Sequence, residues 1–189
     1  MRPFTLHRLE QLYAAMPRDT FWRHDVDVSL DAAVKMAAWE TVREYHSTYY
    51  LMTTSPFYTI EEAREARDAI HGLGHRVGLH WDTRHPFPKE WDLRDDGTLP
   101  VSFHCPEPHL LWREFSAFES AYAPQWQGRY HADSRGRFAH GDPEALVTTG
   151  PVQVNLHPEW WMEPDWIERR NVTPELYHAF FREPVEALA

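Results

Sequence analysis

The sequence predicts an α/β fold of one domain, residues 1–189, with a parallel sheet or barrel. Three observations predict it: strand-like segments alternate with amphipathic helical segments, capping signals mark the helix ends, and no internal repeat or linker divides the chain. The length and the 42% apolar content suit a single hydrophobic core. Right-handed crossovers would bring the carboxyl ends of the strands to one edge, where functional groups are expected to cluster.

Strands are predicted where short apolar runs are rich in β-branched and aromatic residues. They fall at residues 20–28, 47–53, 75–80, 99–104, 127–132 and 151–157. Helices are predicted by apolar periodicity together with end signals: Ser29 as an N-cap, a capping box of Thr59 with Glu62, and Pro174 in a first turn. The predicted helices cover residues 5–15, 29–46, 60–72, 108–122 and 173–183.

Composition argues against several classes of partner. The formal net charge of -10 disfavours nucleic acid, because such binding depends on Lys and Arg neutralising phosphates. No run approaches the roughly 20 apolar residues needed to cross a membrane, and residues 1–16 are charged where a signal peptide needs an apolar run. Cys105 is the only cysteine, which excludes an internal disulfide. We expect a cytoplasmic protein with a neutral or cationic small-molecule or oligosaccharide substrate, in an oligomeric state that the sequence does not specify.

Polar residues of similar type end four of the predicted strands. Asp25 and Asp27 end the first strand, and His80, His104 and His157 end three later ones. Each has an ordinary structural explanation, since either Asp could cap the next helix and any one His could lie hydrogen-bonded in the core. Independent placement at four strand ends is improbable, whereas a site requires it. A mixed Asp/His set suits one divalent metal. Zn²⁺ is the expected ion, and Co²⁺, Ni²⁺ and Mn²⁺ are alternatives.

The segments that carry these residues resemble the motifs of the polysaccharide deacetylase superfamily (carbohydrate esterase family 4, the NodB-homology fold), in the variant whose first motif reads RHDVD. That motif is residues 23–27 here, and the later motifs resemble GHRVGLHWDTRHP at 74–86, SFHCPEP at 102–108, YHADSRG at 130–136 and NLHPEWW at 155–161. The resemblance spans most of the chain. It implies a distorted, incomplete (β/α) barrel of roughly seven parallel strands and metal-dependent hydrolysis of an N-acyl group.

The first two motifs of the resemblance imply a base and a set of metal ligands. Asp25 would be the catalytic base and Asp27 a ligand, with an exchange of roles left open because one residue separates a pair that is adjacent in the family. His80 would be the first metal-binding histidine. The second normally lies four residues later, where this chain has Arg84, so His85 would serve if the loop takes one extra residue.

The later motifs imply a general acid and contacts to substrate. His157 would protonate the leaving amine, and His104 would line the site as a substrate-binding residue. Trp160 and Trp161 would either form a wall around the acyl methyl group or pack in the core. Cys105 stands where relatives often carry an arginine that orients the base.

The resemblance therefore implies a metal-dependent N-deacetylase acting on an N-acetylated sugar or a surface-polysaccharide precursor. Three alternatives stay open: a carbohydrate-binding relative that has lost turnover, a hydrolase of another C–N bond such as a cyclic amide, and an interaction protein with scattered surface histidines. Residues 82–98 and 158–172, which show no clear period, are expected to form the rim of the cleft.

Overall fold

A sheet of parallel strands forms the centre of the protein, for which the computed structural model describes residues 4–88, 91, 98–138, 141–143 and 150–181. The strands are β1 (Phe21–Val26), β2 (Ser47–Met52), β3 (Arg76–Trp81), β4 (Pro100–Phe103), β5 (Glu119–Ser120), β6 (Tyr130–Ala132) and β7 (Gln153–Leu156). They form one 7-stranded sheet in the order β5-β4-β3-β2-β1-β7-β6, and every pair is parallel. The predicted α/β class and parallel sheet are confirmed.

Helices flank this sheet, and the last of them lies at the carboxyl ends of the strands. They are α1 (Leu6–Ala15), α2 (Leu30–Thr41), α3 (Ile60–Gly72), α4 (Pro158–Met162), α5 (Trp166–Arg169) and α6 (Pro174–Phe181). The predicted caps are present: Ser29 Oγ accepts from the backbone N–H of Ala32, and Thr59 and Glu62 form the capping box. No helix in the described part of the chain is long and apolar enough to cross a membrane.

The helix predicted over residues 108–122 is wrong. A short 3-10 turn at Pro108–Leu110 leads into an irregular segment, and Trp112 has a φ of 56°, which a right-handed helix cannot contain. Aromatic rings of this segment pack on Phe103 of β4, with centroid distances of 5.6 Å to Phe115 and 5.9 Å to Phe118. Tertiary packing therefore outweighed a weak local pattern.

Two further sequence predictions differ in detail. The segment 158–172 forms α4 and α5, and α4 packs against α2 and β1. Residues 182 and 183 of the last predicted helix, and most of 89–97, lie outside the described residues. The short edge strand β5 had no recognisable signal in the sequence.

The sheet curls into a half-barrel, so that its two edges approach each other. Tyr122, two residues after β5, lies 5.7 Å from Tyr130 of β6 between ring centroids. The Gln153 side chain of β7 donates to the carbonyl of Ala121 at 2.8 Å. Within the described residues no backbone pairing joins β5 to β6, so the barrel stays incomplete.

Alternation along β1 gives the sheet two distinct faces. Outward residues contact α1 and α2, where the Glu40 carboxylate accepts hydrogen bonds from His24 Nε2 (2.9 Å), Ser47 (2.6 Å), Tyr49 (2.5 Å) and Tyr13. Burial alone would raise the pKa of Glu40, but His24 and these hydrogen bonds outweigh it and lower the pKa. Inward residues of β1, by contrast, point into the half-barrel and towards its carboxyl end.

Candidate metal centre

Three of the strand-end residues meet in one buried cluster. Asp27 follows β1, His80 lies in β3 and His104 follows β4. Asp27 Oδ1 lies 3.1 Å from His80 Nε2 and 3.1 Å from His104 Nδ1, and the two imidazole nitrogens are 3.2 Å apart. Each residue is only 2% exposed. Such a set could hold one divalent metal.

The second nitrogen of each imidazole supports this interpretation. His104 Nε2 is 2.8 Å from the carbonyl oxygen of Phe180, which can only accept, so Nε2 carries a proton and Nδ1 faces the cluster. His80 Nδ1 is 3.1 Å from Ser102 Oγ, which leaves Nε2 facing the cluster. Metal-binding histidines commonly use this arrangement, in which an outer partner orients the ring.

The separations are also close to those of a coordinated set. Two ligands around a tetrahedral ion with bonds of about 2.0–2.1 Å lie about 3.3 Å apart. Burial alone would lower the pKa of His104, but the Asp27 carboxylate reverses this and raises the pKa well above its usual value. Without an ion, His104 therefore keeps a proton on Nδ1 that faces the Asp27 carboxylate. An ion that binds here would have to displace that proton.

The third member of the cluster differs from the expected ligand. The His85 side chain is 51% exposed, and its Nε2 lies 4.0 Å from Asp82 Oδ2, outside the cluster. Arg84, at the position where the resemblance expected a histidine, binds the Asp82 carboxylate and donates to the Ala179 carbonyl of α6 at 2.8 Å. The structure brings His104 into the place expected for His85.

Asp25 lies next to the cluster and is held from two sides. Arg23 donates to both of its carboxylate oxygens, at 3.0 and 2.6 Å, and Asn155 Nδ2 donates at 2.9 Å. Burial alone would raise the pKa of Asp25, but Arg23 outweighs it, and the pKa falls well below the usual range. Asp25 is therefore ionised and fixed in orientation. Cys105 stands where the resemblance expects an arginine that orients the base. In this structure Arg23 makes that contact to Asp25.

His157 lies on the opposite side of Asp27, with Nε2 3.7 Å from Asp27 Oδ2. Its Nδ1 donates to Asp133 Oδ1 at 2.6 Å, and Asp133 also accepts from Trp161 Nε1 at 2.6 Å. Burial alone would lower the pKa of His157, but Asp133 raises it to about 10. His157 is thus an imidazolium with its second proton near the cluster. Asp133 lies within the YHADSRG segment, but no feature of the sequence assigns it this role.

These groups open into a cavity of about 490 Å³ at the carboxyl ends of the strands. The described lining consists of Asp25, Asp27, His80, Phe103, His104, Cys105, Pro106, Glu107, Pro108, Tyr122, Tyr130, Ser134, Asn155, His157 and Phe181. The rim residues thus come from 105–108, Ser134 and the end of α6, and none of the described residues of 82–98 or 158–172 contributes.

The two tryptophans lie behind this wall. Trp161 is buried and holds Asp133, and Trp160 stacks over Gly136 and lies 5.1 Å from the Trp166 ring. Neither is among the described residues that line the cavity. Their contacts are those of core packing, the second of the two roles considered for them.

Comparisons with known proteins add no assignment to this geometry, since no family model, curated protein or solved structure matches the chain.

Proposed function

We propose that the protein is a hydrolase that uses one divalent metal to remove an N-acyl group from an N-acetylated sugar or a surface-polysaccharide precursor. Acetyl is the acyl group that we propose. The observation that carries the proposal is the convergence of a buried Asp27–His80–His104 set with Asp25 and His157 in a single cavity. Zn²⁺ suits the donor set best, and Co²⁺, Ni²⁺ and Mn²⁺ are also compatible with it.

Two side chains flank the cluster with complementary protonation states. An ion bound there would supply Lewis acidity towards the acyl carbonyl. In this proposal Asp25, ionised and held by Arg23 and Asn155, would accept a proton from the attacking water. His157, protonated through its contact with Asp133, would donate a proton from Nε2 to the departing nitrogen. The location of Asp27 in the cluster favours Asp25 as base and Asp27 as ligand, rather than the exchange of roles.

The lining combines balanced charges with aromatic surface. The carboxylates of Asp25, Asp27 and the rim residue Glu107 are offset by the His157 imidazolium and by Arg23 bound to Asp25, so charge alone does not select the substrate. Aromatic rings of Phe103, Tyr122 and other residues provide apolar surface of the kind on which sugar faces pack. The aromatic surface agrees with a sugar derivative as substrate.

The binding-only alternative loses much of its support. The departures from the family pattern at Arg84 and Cys105 would favour that alternative, but His104 completes the cluster with Asp27 and His80, and Arg23 binds the Asp25 carboxylate. Hydrolysis of a cyclic amide uses similar groups, so a substrate panel must contain both acyclic and cyclic amides.

Turnover on that panel tests the proposal. Purified protein loaded separately with Zn²⁺, Co²⁺, Ni²⁺ or Mn²⁺ is expected to release acetate from an N-acetylated sugar. Asp25→Asn and His157→Ala should each lower kcat by at least about 100-fold, in line with the usual contribution of a general base or acid. Asp68→Asn and His46→Ala, both exposed and remote from the cavity, are the matched controls. Wild-type turnover in the Asp25 and His157 variants would refute the mechanism.

A further inference from the structure

Arg23 occupies the interior of the half-barrel and is fully buried. Its guanidinium lies over the Tyr122 ring at 4.4 Å and is 5.5 Å from the rings of Tyr50 and Tyr130. Besides Asp25, it donates to Ser102 Oγ. A charge in this position is retained only with strong partners, and most of these partners belong to the candidate site.

Ser102 connects this guanidinium to the cluster. The same hydroxyl oxygen that accepts from Arg23 lies 3.1 Å from His80 Nδ1. Because a guanidinium has no acceptor, the Arg23 contact uses one lone pair of Oγ. The second lone pair is then available to accept from His80 Nδ1–H. That choice of tautomer leaves Nε2 of His80 unprotonated and able to bind an ion.

We propose that Ser102, anchored by Arg23, is a positioning residue that fixes the tautomer and ring orientation of His80. One guanidinium thereby orients two parts of the site, Asp25 directly and His80 through Ser102. The inference rests on the proposed function, because it requires His80 to bind a metal.

Loss of the hydroxyl should weaken metal binding although Ser102 does not contact the ion. His80 would then lose the acceptor that holds Nδ1–H, and Arg23 would lose a partner. Removal of such an outer partner typically weakens metal affinity by about 10–100-fold. A residue with only a packing role would change stability without this selective effect.

The test compares Zn²⁺ affinity, measured by competition with a chelator, for wild type, Ser102→Ala, Ser102→Thr and Ser102→Val. Thr and Val have nearly equal shape and differ in the hydroxyl, so this pair carries the test even if the Ala variant does not fold. We expect Thr to bind at least tenfold more tightly than Val, and the visible spectrum of bound Co²⁺ to change in the Ala and Val variants but not in Thr. Ser47→Ala is the matched control, because it removes a buried hydroxyl bonded to a charged group, Glu40, outside the site.

The outcomes separate the two levels of the proposal. Equal Zn²⁺ affinity and equal Co²⁺ spectra for the Thr and Val variants would overturn the role of Ser102 and leave the proposed function standing. A loss of affinity in Ser47→Ala as large as in Ser102→Val would also overturn it, since the effect would then be general destabilisation. Failure of the wild-type protein to bind Zn²⁺ would overturn both.

Discussion

Replacing Asp133 by asparagine tests how His157 keeps its proton. Asp133 accepts from the Nδ1 and the backbone N–H of His157, and both residues are almost fully buried. In metal-free protein, a neutral amide at this position would remove the largest influence that raises this pKa, while burial would still lower the pKa and the Asp27 carboxylate would still raise it. We therefore expect the pKa of His157 to fall from about 10 towards its usual value of 6.5.

The size of this effect follows from the raised pKa. The rise from 6.5 to about 10 corresponds to about 5 kcal/mol, since each pKa unit is worth about 1.4 kcal/mol. A raised histidine pKa stabilises the fold fully below the unfolded value of 6.5, and the contribution disappears as the pH rises through about 10. Wild-type stability should thus decline between these two pH values, and Asp133→Asn should show a much smaller decline.

Ring-carbon NMR of His157 against pH, with urea unfolding at several pH values, measures both quantities. Asp68→Asn, a change of the same kind on the exposed face of α3, should leave both curves unchanged. A wild-type His157 that titrates near 6.5 would refute the reasoning. So would an Asp133→Asn protein that keeps the wild-type pH dependence.

Three further predictions concern the parts that position the site. Glu40→Gln should destabilise the protein by about 3–5 kcal/mol, and should remove the loss of stability expected as the pH falls below about 4.5 towards the lowered native pKa of Glu40; unchanged acid unfolding would contradict this. Gly78→Ala should cost about 1–3 kcal/mol in urea unfolding, because a Cβ would lie 2.6 Å from the Pro100 carbonyl oxygen; wild-type stability would show that β3 and β4 can separate. Arg84→Ala should speed hydrogen exchange at the end of α6, since Arg84 donates to the Ala179 carbonyl; unchanged exchange would rule out that anchor.

Much of the fold could be predicted because its signals are local. The N-cap at Ser29 and the capping box at Thr59 and Glu62 depend on residues within one helical turn, and both are present. The predicted helix over 108–122 failed because its aromatic spacing also suits packing onto β4, and no local pattern distinguishes the two. The helices α4 and α5 are too short, at 5 and 4 residues, to show a period.

The residues of the candidate site also fall into those with a local sequence signal and those without one. Asp27 and His80 end recognisable strands, and the resemblance implies that both are ligands. It implies His85 as the next ligand and His104 as a substrate-binding residue, whereas the cluster contains His104 and the His85 side chain is exposed. Spacing alone does not give the path of the loop after β3, where Arg84 binds Asp82 and the Ala179 carbonyl. The roles of Ser102 and Asp133 depend on contacts with residues 79 and 24 positions away in sequence. Spacing along a single sequence contains no signal for such contacts.

Metal content of the purified, untagged protein is the most direct test of the central claim. Elemental analysis after incubation with Zn²⁺ and removal of excess should give about one ion per chain in wild type and in His85→Ala. Asp27→Ala, His80→Ala and His104→Ala should each lose the ion. The comparison of His85→Ala with His104→Ala distinguishes binding at the cluster from adventitious binding by exposed histidines. Absence of bound metal in wild type, or retention in the His104 variant with loss in the His85 variant, would contradict the account.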